Sequence, residues 1–191
     1  MQKPKPLATG QQSLTPVTET KPASLPVDDA ARLREIRKLV EANNQSSIDT
    51  DSIICQIYME SRFDANARAQ GSSAKGLMQL LKAPVRELYR LENLKKPRAD
   101  RLDETDVYKE ADKFHASAEL TDQATNIKIG TQYLEHLIQR QTKKGAKDPI
   151  AEAYKDYRGL KNGIYYNKIK ATAEKLKAAQ ESMQILRDMV K

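Results

Sequence analysis

Several residue types are scarce in this chain of 191 residues. Tryptophan is absent, phenylalanine occurs twice, and the single cysteine, Cys55, excludes an internal disulfide framework. No stretch approaches the roughly 18 to 20 consecutive apolar residues that a membrane-spanning helix needs. Residues 1–8 contain two lysines, but no apolar segment follows them, so we expect no cleaved signal peptide. Integral membrane proteins and disulfide-stapled mini-domains are therefore excluded as classes.

The charge balance is basic. Lysine and arginine total 33 against 26 acidic residues, which gives a net charge of +7 and a pI near 9.3. Such a balance concerns binding partners and not fold, and it suits nucleic acid, anionic lipid surfaces and anionic wall polymers. The basic residues are scattered, however, and no groove-reading motif is present, so we expect no nucleic-acid partner.

The chain divides into two regions of different composition. Residues 1–28 hold five of the eight prolines and no aromatic residue, which predicts a disordered tail or linker. Residues 29–191 read as one domain with its core at about 45–170. Apolar residues recur there at helical spacing, so the predicted fold is mainly α, with a short hairpin in the 60s and 70s. We predict helices over 29–43 and 49–61, from Gly76 through Leu91 with a kink at Pro84, over 122–141 and 149–157, and one long C-terminal helix over 164–190; 92–120 is predicted as a long loop with short helical pieces.

The candidate catalytic residue is Glu60. This glutamate ends an apolar helix, where unpaired backbone carbonyls disfavour negative charge, and Ile57 and Phe63 are expected to bury it. Both effects raise the pKa of a carboxyl group, which is the condition for a general acid near neutral pH. Downstream, Gly76 permits close backbone approach, and Gln79 can both donate and accept hydrogen bonds.

Three blocks of this sequence carry a more specific resemblance. Glu60-Ser61-x-Phe63, then Ala74-x-Gly76-Leu77-Met78-Gln79, and then Asn126-Ile127 with Gly130 and Tyr133-Leu134 follow one another along the chain. Together they resemble the signature of the soluble lytic transglycosylase family, which has a goose-type lysozyme-like fold. The resemblance covers about residues 45–170. The connection from Gln79 to Asn126 is longer than is usual in the family.

The resemblance implies both a reaction and a set of site residues. The substrate would be the β-1,4 bond between N-acetylmuramic acid (MurNAc) and N-acetylglucosamine (GlcNAc) in peptidoglycan, cleaved to 1,6-anhydromuramyl products. Glu60 would act first as acid and then as base, with no metal or organic cofactor. The implied substrate-binding residues are Ser61, Met78, Gln79, Asn126 and Tyr157.

The tyrosine assignment rests on a departure from the family pattern. The Ala-Tyr-Asn-x-Gly motif is not present as such; the chain has Ala153-Tyr154-Lys155-Asp156-Tyr157-Arg158-Gly159, followed by Tyr165-Tyr166. Because Tyr157 keeps a tyrosine close to Gly159, it is expected beside the catalytic glutamate. Tyr154 is the alternative.

Two other functions stay open on the sequence alone. One is a hydrolytic lysozyme of the same fold. An inverting hydrolase needs a second carboxylate about 6.5 to 9.5 Å from the first, and four acids are candidates: Asp64, Asp103, Glu104 and Asp106. An inactive basic module that binds glycan or has a structural role is the third possibility, since fold does not fix function. His115 and His136 lack metal-ligand spacing.

Location and partners follow from the implied substrate. Glycan strands of peptidoglycan are the expected partner. A wall-cutting enzyme made in the cytoplasm without a signal peptide would need a phage-type or specialised secretion route to reach the periplasm or cell wall. Use as an effector would add an immunity partner or a secretion-machine protein.

Overall fold

The computed structural model describes residues 28–191. The tail predicted over 1–28 therefore lies, except for Asp28, outside the described residues. The helices of the described part, in chain order, are α1 (Ala31–Asn43), α2 (Thr50–Ser61), α3 (Lys82–Lys95), α4 (Glu104–Ala116), α5 (Gln123–Lys143), α6 (Pro149–Arg158), α7 (Ile164–Ala178) and α8 (Met183–Met189). Two short 3-10 helices, Arg98–Asp100 and Glu119–Thr121, flank α4. None of these helices is long and apolar enough to cross a bilayer.

The mainly α fold predicted from the sequence is confirmed. The helices predicted over 29–43, 49–61, 122–141 and 149–157 correspond to α1, α2, α5 and α6. The predicted hairpin is reduced to isolated antiparallel bridges of Lys75 with Arg68 and with Leu80. This all-helical architecture agrees with the lysozyme-like domain that the resemblance implies.

Aspartate caps define where several helices begin. In each case the carboxylate accepts a hydrogen bond from the backbone N–H three residues further on, which satisfies one of the otherwise unpaired donors of the first turn. The capping residues are Asp49 for α2, Asp103 for α4, Asp122 for α5 and Asp148 for α6. A Ser, Thr, Asn or Asp at such a position typically contributes about 1 kcal/mol to stability.

Helix α2 lies at the centre of the larger core. Its residues 53–58 are all buried, and it packs against α1 and α7, with α8 also in contact. Helix α5 packs against α1 and α6 on the other side. A smaller cluster, formed by Leu80, Val85, Ala111 and Leu120, joins α3 and α4 to the segment before α5. The chain that links α2 to α3 runs between these two clusters.

The predictions for α3 and for residues 92–120 were wrong in part. Helix α3 begins at Lys82 and not after Gly76, so Pro84 falls in its first turn, where a missing N–H costs no hydrogen bond and no kink results. Residues 104–116 form α4 instead of a loop. Its buried stripe is Val107, Ala111 and His115, a spacing of four that is helical but too small and too polar to stand out.

The single long C-terminal helix predicted over 164–190 is two helices. Helix α7 ends at Ala178, the chain bends, and α8 follows. The bend lets Leu186 and Met189 bury their side chains in the core. Apolar residues three and four positions apart occur both in one straight helix and in two consecutive helices. The periodicity of the sequence therefore did not reveal the bend.

Gly130 in the middle of α5 provides a test of this packing. A Cβ atom added there would lie 2.5 Å from Met78 Sδ, closer than any tolerable contact. We expect Gly130→Ala to lower the free energy of unfolding by about 1–3 kcal/mol through overpacking, measured by urea denaturation. Alanine favours helix by about 0.5–1 kcal/mol over glycine, so a stabilised variant would contradict this packing.

The same site allows a control by coupling. Met78→Ala removes the side chain that an alanine at position 130 would strike. We therefore expect Met78→Ala to cost less stability in the Gly130→Ala background than in the wild type.

Candidate active site

Glu60 lies at the C-terminal end of α2. The helix ends at the next residue, Ser61, because Arg62 and Phe63 both adopt left-handed backbone conformations with φ of 55° and 68°. Arg62 Nη1 donates hydrogen bonds to the carbonyls of Tyr58 at 2.6 Å and Met59 at 2.9 Å, and the Arg62 backbone N–H also donates to the Tyr58 carbonyl at 3.1 Å, so this residue caps the last turn of the helix. The ring of Phe63 is buried and meets the Tyr58 ring edge-on at 5.0 Å between centroids. These contacts stabilise the turn at Arg62 and Phe63, which fixes the position of Glu60 at the end of the helix.

The carboxyl group of Glu60 has a raised pKa. The residue is partly accessible, and burial raises its pKa above the ordinary value for glutamate. Three groups act in the opposite direction: the Tyr165 hydroxyl, which donates to Glu60 Oε1 at 2.5 Å, and the charges of Arg158 and Arg62. Burial outweighs all three, so the proton is held more tightly than on an exposed glutamate.

Glu60 stands where two hollows in the surface adjoin, and we call these hollows together the cleft. Both are lined by Met59, Glu60, Ala69 and Gln79. The first hollow, of about 250 Å³, continues past Tyr157 and Arg158. The second, of about 350 Å³, continues past Ser61, Arg62 and Arg68. The carboxyl group therefore lies along an open groove and not at the bottom of a closed pocket.

Larger hollows exist elsewhere on the surface. One, of about 960 Å³, lies at the connection of α5 and α6, and another, of about 550 Å³, lies between α3 and α5. Glu135 lines the second of these hollows, and although burial acts to raise its pKa, hydrogen bonds from Ser47 bring that pKa below the ordinary value for glutamate. Volume is therefore a poorer guide to the chemistry than the perturbed carboxyl of Glu60.

The cleft wall opposite Glu60 is fixed by Asn126 of α5. The Asn126 side chain accepts a hydrogen bond from the Met78 backbone N–H at 2.8 Å and donates to the carbonyls of Lys75 at 3.2 Å and Leu120 at 2.8 Å. Gly76 passes so close that a Cβ there would lie 2.3 Å from Asn126 Nδ2. Its φ of +75° also favours glycine.

Gln79 projects from this wall beside Glu60. Its φ is 48°, and its Nε2 donates to the carbonyls of Gly76 at 2.8 Å and Ala67 at 2.9 Å. Both amide protons are therefore used to close the loop. Among residues 28–191 no donor reaches the amide oxygen, so Gln79 offers an acceptor in the cleft.

Helix α4 also holds this wall, which the sequence did not reveal. His115 is buried, its pKa is lowered by burial, and its Nε2 lies 3.1 Å from the Leu80 carbonyl. Lys75 Nζ donates to the His115 carbonyl at 2.8 Å. The two contacts join α4 to both ends of the Lys75–Leu80 segment. The sequence contained one sign of this helix: His115 continues the four-residue spacing of Val107 and Ala111.

Among the tyrosines, it is Tyr165 that bonds to Glu60. Tyr157, the predicted neighbour, lines the same hollow but donates its hydroxyl to the Met78 carbonyl at 2.9 Å. Tyr154, the alternative, is fully buried and stacks on Tyr166 with 4.9 Å between centroids. Tyr165 lies in the first turn of α7, beyond the Ala153–Gly159 block, so the Tyr165-Tyr166 pair was the only sign of it in the sequence.

The other predicted site residues lie at different depths. Ser61 lines the second hollow, but its hydroxyl donates to the Ile57 carbonyl at 3.1 Å. Met78 and Asn126 are fully buried and do not line the cleft. The Met78 side chain is packed in the core, and the Asn126 side chain bonds to the backbone. Both therefore support the wall from behind and cannot touch a substrate directly in this geometry.

The acids considered as a second carboxylate are elsewhere. Asp64 accepts from the Asn66 backbone, Asp103 caps α4, and Glu104 and Asp106 bond to Tyr108 and Lys109. Among residues 28–191, Glu60 is the only acidic residue that lines either hollow. Within residues 28–191, no three His, Cys, Asp or Glu side chains are close enough to hold a metal ion.

The raised pKa of Glu60 predicts a stability cost. The folded chain binds the proton more tightly than the unfolded chain, so stability is lost as pH rises above the ordinary glutamate range. We expect Glu60→Gln to have a higher melting temperature than the wild type at neutral pH, and the difference to vanish below about pH 4. Thermal denaturation across pH measures both.

Glu135→Gln is the matched control for this prediction. Burial acts to raise the Glu135 pKa, but hydrogen bonds from the Ser47 N–H and hydroxyl bring it below the ordinary value. Its carboxylate therefore stabilises the fold at neutral pH, and Glu135→Gln should lower the melting temperature there. The same sign of change in both variants would contradict the assignment.

One comparison with known proteins identifies the family of the chain. The family model described as the transglycosylase SLT domain matches residues 39–175, which is more than half of the chain and includes the whole cleft. Comparison with curated proteins and with solved structures gave no match. The chain therefore belongs to the SLT transglycosylase family, whose general function is peptidoglycan cleavage of the lytic transglycosylase type.

Proposed function

We propose that this protein cleaves the MurNAc-β-1,4-GlcNAc bond of peptidoglycan by lytic transglycosylation, with Glu60 as the only catalytic carboxyl group. The observation that carries the proposal is that Glu60, with its raised pKa, is the single acidic residue that the described part of the chain places in the cleft. An open groove with hollows on both sides of that carboxyl suits a polymer that must extend past the cleaved bond.

The first step needs Glu60 protonated. Burial keeps the proton on the carboxyl to a higher pH than usual, so Glu60 can donate it to the leaving glycosidic oxygen. The acetamido group of the muramyl residue stabilises the positive charge that develops at its C1, as in other substrate-assisted glycoside cleavages. This route uses no second carboxylate, which fits a cleft with one acid.

The second step uses the same group as a base. Once ionised, Glu60 accepts the proton of the muramyl C6 hydroxyl, whose oxygen attacks C1 and closes the 1,6-anhydro ring. The Tyr165 hydroxyl and the charges of Arg158 and Arg62 all stabilise the carboxylate formed after the first step. Gln79 supplies an acceptor for a sugar hydroxyl or N–H beside the bond. The site of action we propose is the cell wall; the delivery route and any immunity or secretion partner stay predictions.

Analysis of the products tests the reaction. Purified sacculi are incubated with wild type and with Glu60→Gln, and released muropeptides are identified by mass spectrometry. We expect anhydromuramyl ends from the wild type and a loss of rate in Glu60→Gln on the order of 10² to 10⁴. Asp64→Asn, a nearby acid outside the cleft, is the control and should keep its activity.

Three results would overturn the proposal in different ways. Reducing muramic acid ends would make the protein a hydrolase. Undiminished release by Glu60→Gln would refute the catalytic assignment. Binding of sacculi by the wild type without any release would make it a glycan-binding module.

Tyr165→Phe tests how Glu60 is positioned. The variant keeps the ring but removes the hydrogen bond that lowers the Glu60 pKa, so the pKa should rise further. Activity falls as pH rises through that pKa, and we expect the falling limb of the pH–rate profile to move to higher pH. Loss of a hydrogen bond to a charged group should also lower kcat about 10-fold.

The neighbouring Tyr166→Phe is the control for that experiment. Tyr166 stacks on Tyr154 and makes no hydrogen bond to Glu60. Its pH–rate profile should coincide with that of the wild type. An identical shift in both variants would mean that ring packing, and not the Tyr165 hydroxyl, sets the Glu60 pKa.

A further inference from the structure

Arginines without a carboxylate partner gather around the cleft. Seven arginines of the described part form ion pairs with aspartate or glutamate: Arg32, Arg34, Arg37, Arg86, Arg90, Arg140 and Arg187. Within residues 28–191, five others have no such partner. Three of these five, Arg62, Arg68 and Arg158, line the cleft.

The three cationic groups flank Glu60 on both sides. Arg158, the last residue of α6, lines the first hollow and lies over the Tyr165 ring at 5.8 Å from its centroid. Arg62 and Arg68 line the second hollow. Arg62 is held over the Tyr58 ring at 5.2 Å from its centroid, and Nη1 is the only guanidinium nitrogen that it uses to bond backbone carbonyls within residues 28–191. Two of the three guanidinium groups are thus positioned by aromatic rings before any ligand binds.

The cleft is therefore electrostatically unbalanced. Its only acidic residue within 28–191 is Glu60, which must carry a proton at the start of the proposed reaction. Like charges gathered without counterions cost free energy, and a folded chain recovers it when an anionic ligand arrives. Guanidinium groups also match carboxylates geometrically through paired N–H donors.

We propose that Arg158 on one side of Glu60 and Arg68 on the other recognise carboxylates carried by the muramyl residues of the glycan, and so make the cleft selective for acidic over neutral β-1,4 glycans. The choice of glycan rests on the proposed function. Because muramyl residues alternate with GlcNAc along the strand, each side of the cleaved bond has one within reach. Arg62 contributes charge, but its backbone bonds give it a structural role as well.

The carboxylates have two sources. In strands that bear peptides the lactyl group is an amide, and the acids belong to the stem peptide. In strands stripped by an amidase the lactyl group itself is a free carboxylate. Chitotetraose has the same β-1,4 linkage and acetamido groups but no acid, so it serves as the neutral reference.

Binding to a non-cleaving background tests the proposal. Calorimetry at low ionic strength compares Glu60→Gln with the three tetrasaccharides: chitotetraose, the stripped MurNAc-containing strand and the strand with peptide stems. We expect at least one acidic strand to bind about 10-fold tighter than chitotetraose, and Arg158→Gln or Arg68→Gln to remove about that factor. Tighter binding of the stripped strand identifies the lactyl carboxylate; tighter binding of the other identifies the stem.

Arg98→Gln is the matched control, because Arg98 has no ion pair within the described residues and lies outside the cleft. It removes the same charge and should leave all three affinities unchanged. Equal affinity for all three glycans, or an equal loss in Arg98→Gln, would overturn the proposal. If the wild type cleaves no sacculi while arginine-dependent binding persists, the proposed reaction fails and this inference stands.

Discussion

Asn126 lies fully buried in α5 and uses both ends of its amide to hold the backbone that forms one wall of the cleft. It accepts from the Met78 N–H and donates to two carbonyls, one of them in the Lys75–Leu80 segment. A buried backbone group left without a partner costs about 1–3 kcal/mol, so few other side chains would serve. Gly76 must lack a side chain because a Cβ atom there would collide with Asn126. Gly130 must lack one because a Cβ atom there would collide with Met78, which lies beneath the wall. Much of the family-like signature thus packs the backbone so that Gln79 lies beside Glu60 in the cleft.

The chemistry proposed for the cleft depends on a balance at one carboxyl group. Burial disfavours the charge on Glu60, while Tyr165, Arg158 and Arg62 favour it. A group that gives up a proton and then takes one back works best when neither form is strongly preferred. The opposing contributions come from α2, α6 and α7, so the balance exists only when these three helices are packed together.

The sequence predicted the helical class, four helices close to their observed ends, and the raised pKa of Glu60, because apolar spacing and the end of a helix are local properties. It did not predict α4, whose stripe contains a histidine, nor the bend before α8, which periodicity cannot show. The family resemblance placed Tyr157 next to Glu60, whereas the hydrogen bond comes from Tyr165, 105 residues away along the chain. Which of several tyrosines reaches a carboxyl depends on how α6 and α7 turn, and no local pattern encodes that.

Helix α4 reaches the cleft through His115, which lies against the Leu80 carbonyl, and through Lys75, whose amine bonds to the His115 carbonyl. The segment between α3 and α5 is consequently not a removable insertion. A chimera in which a shorter linker replaced it would leave the Leu80 carbonyl and the Lys75 amine without their present partners. Any transplant of the Lys75–Leu80 loop into another scaffold has to carry the supporting helix with it.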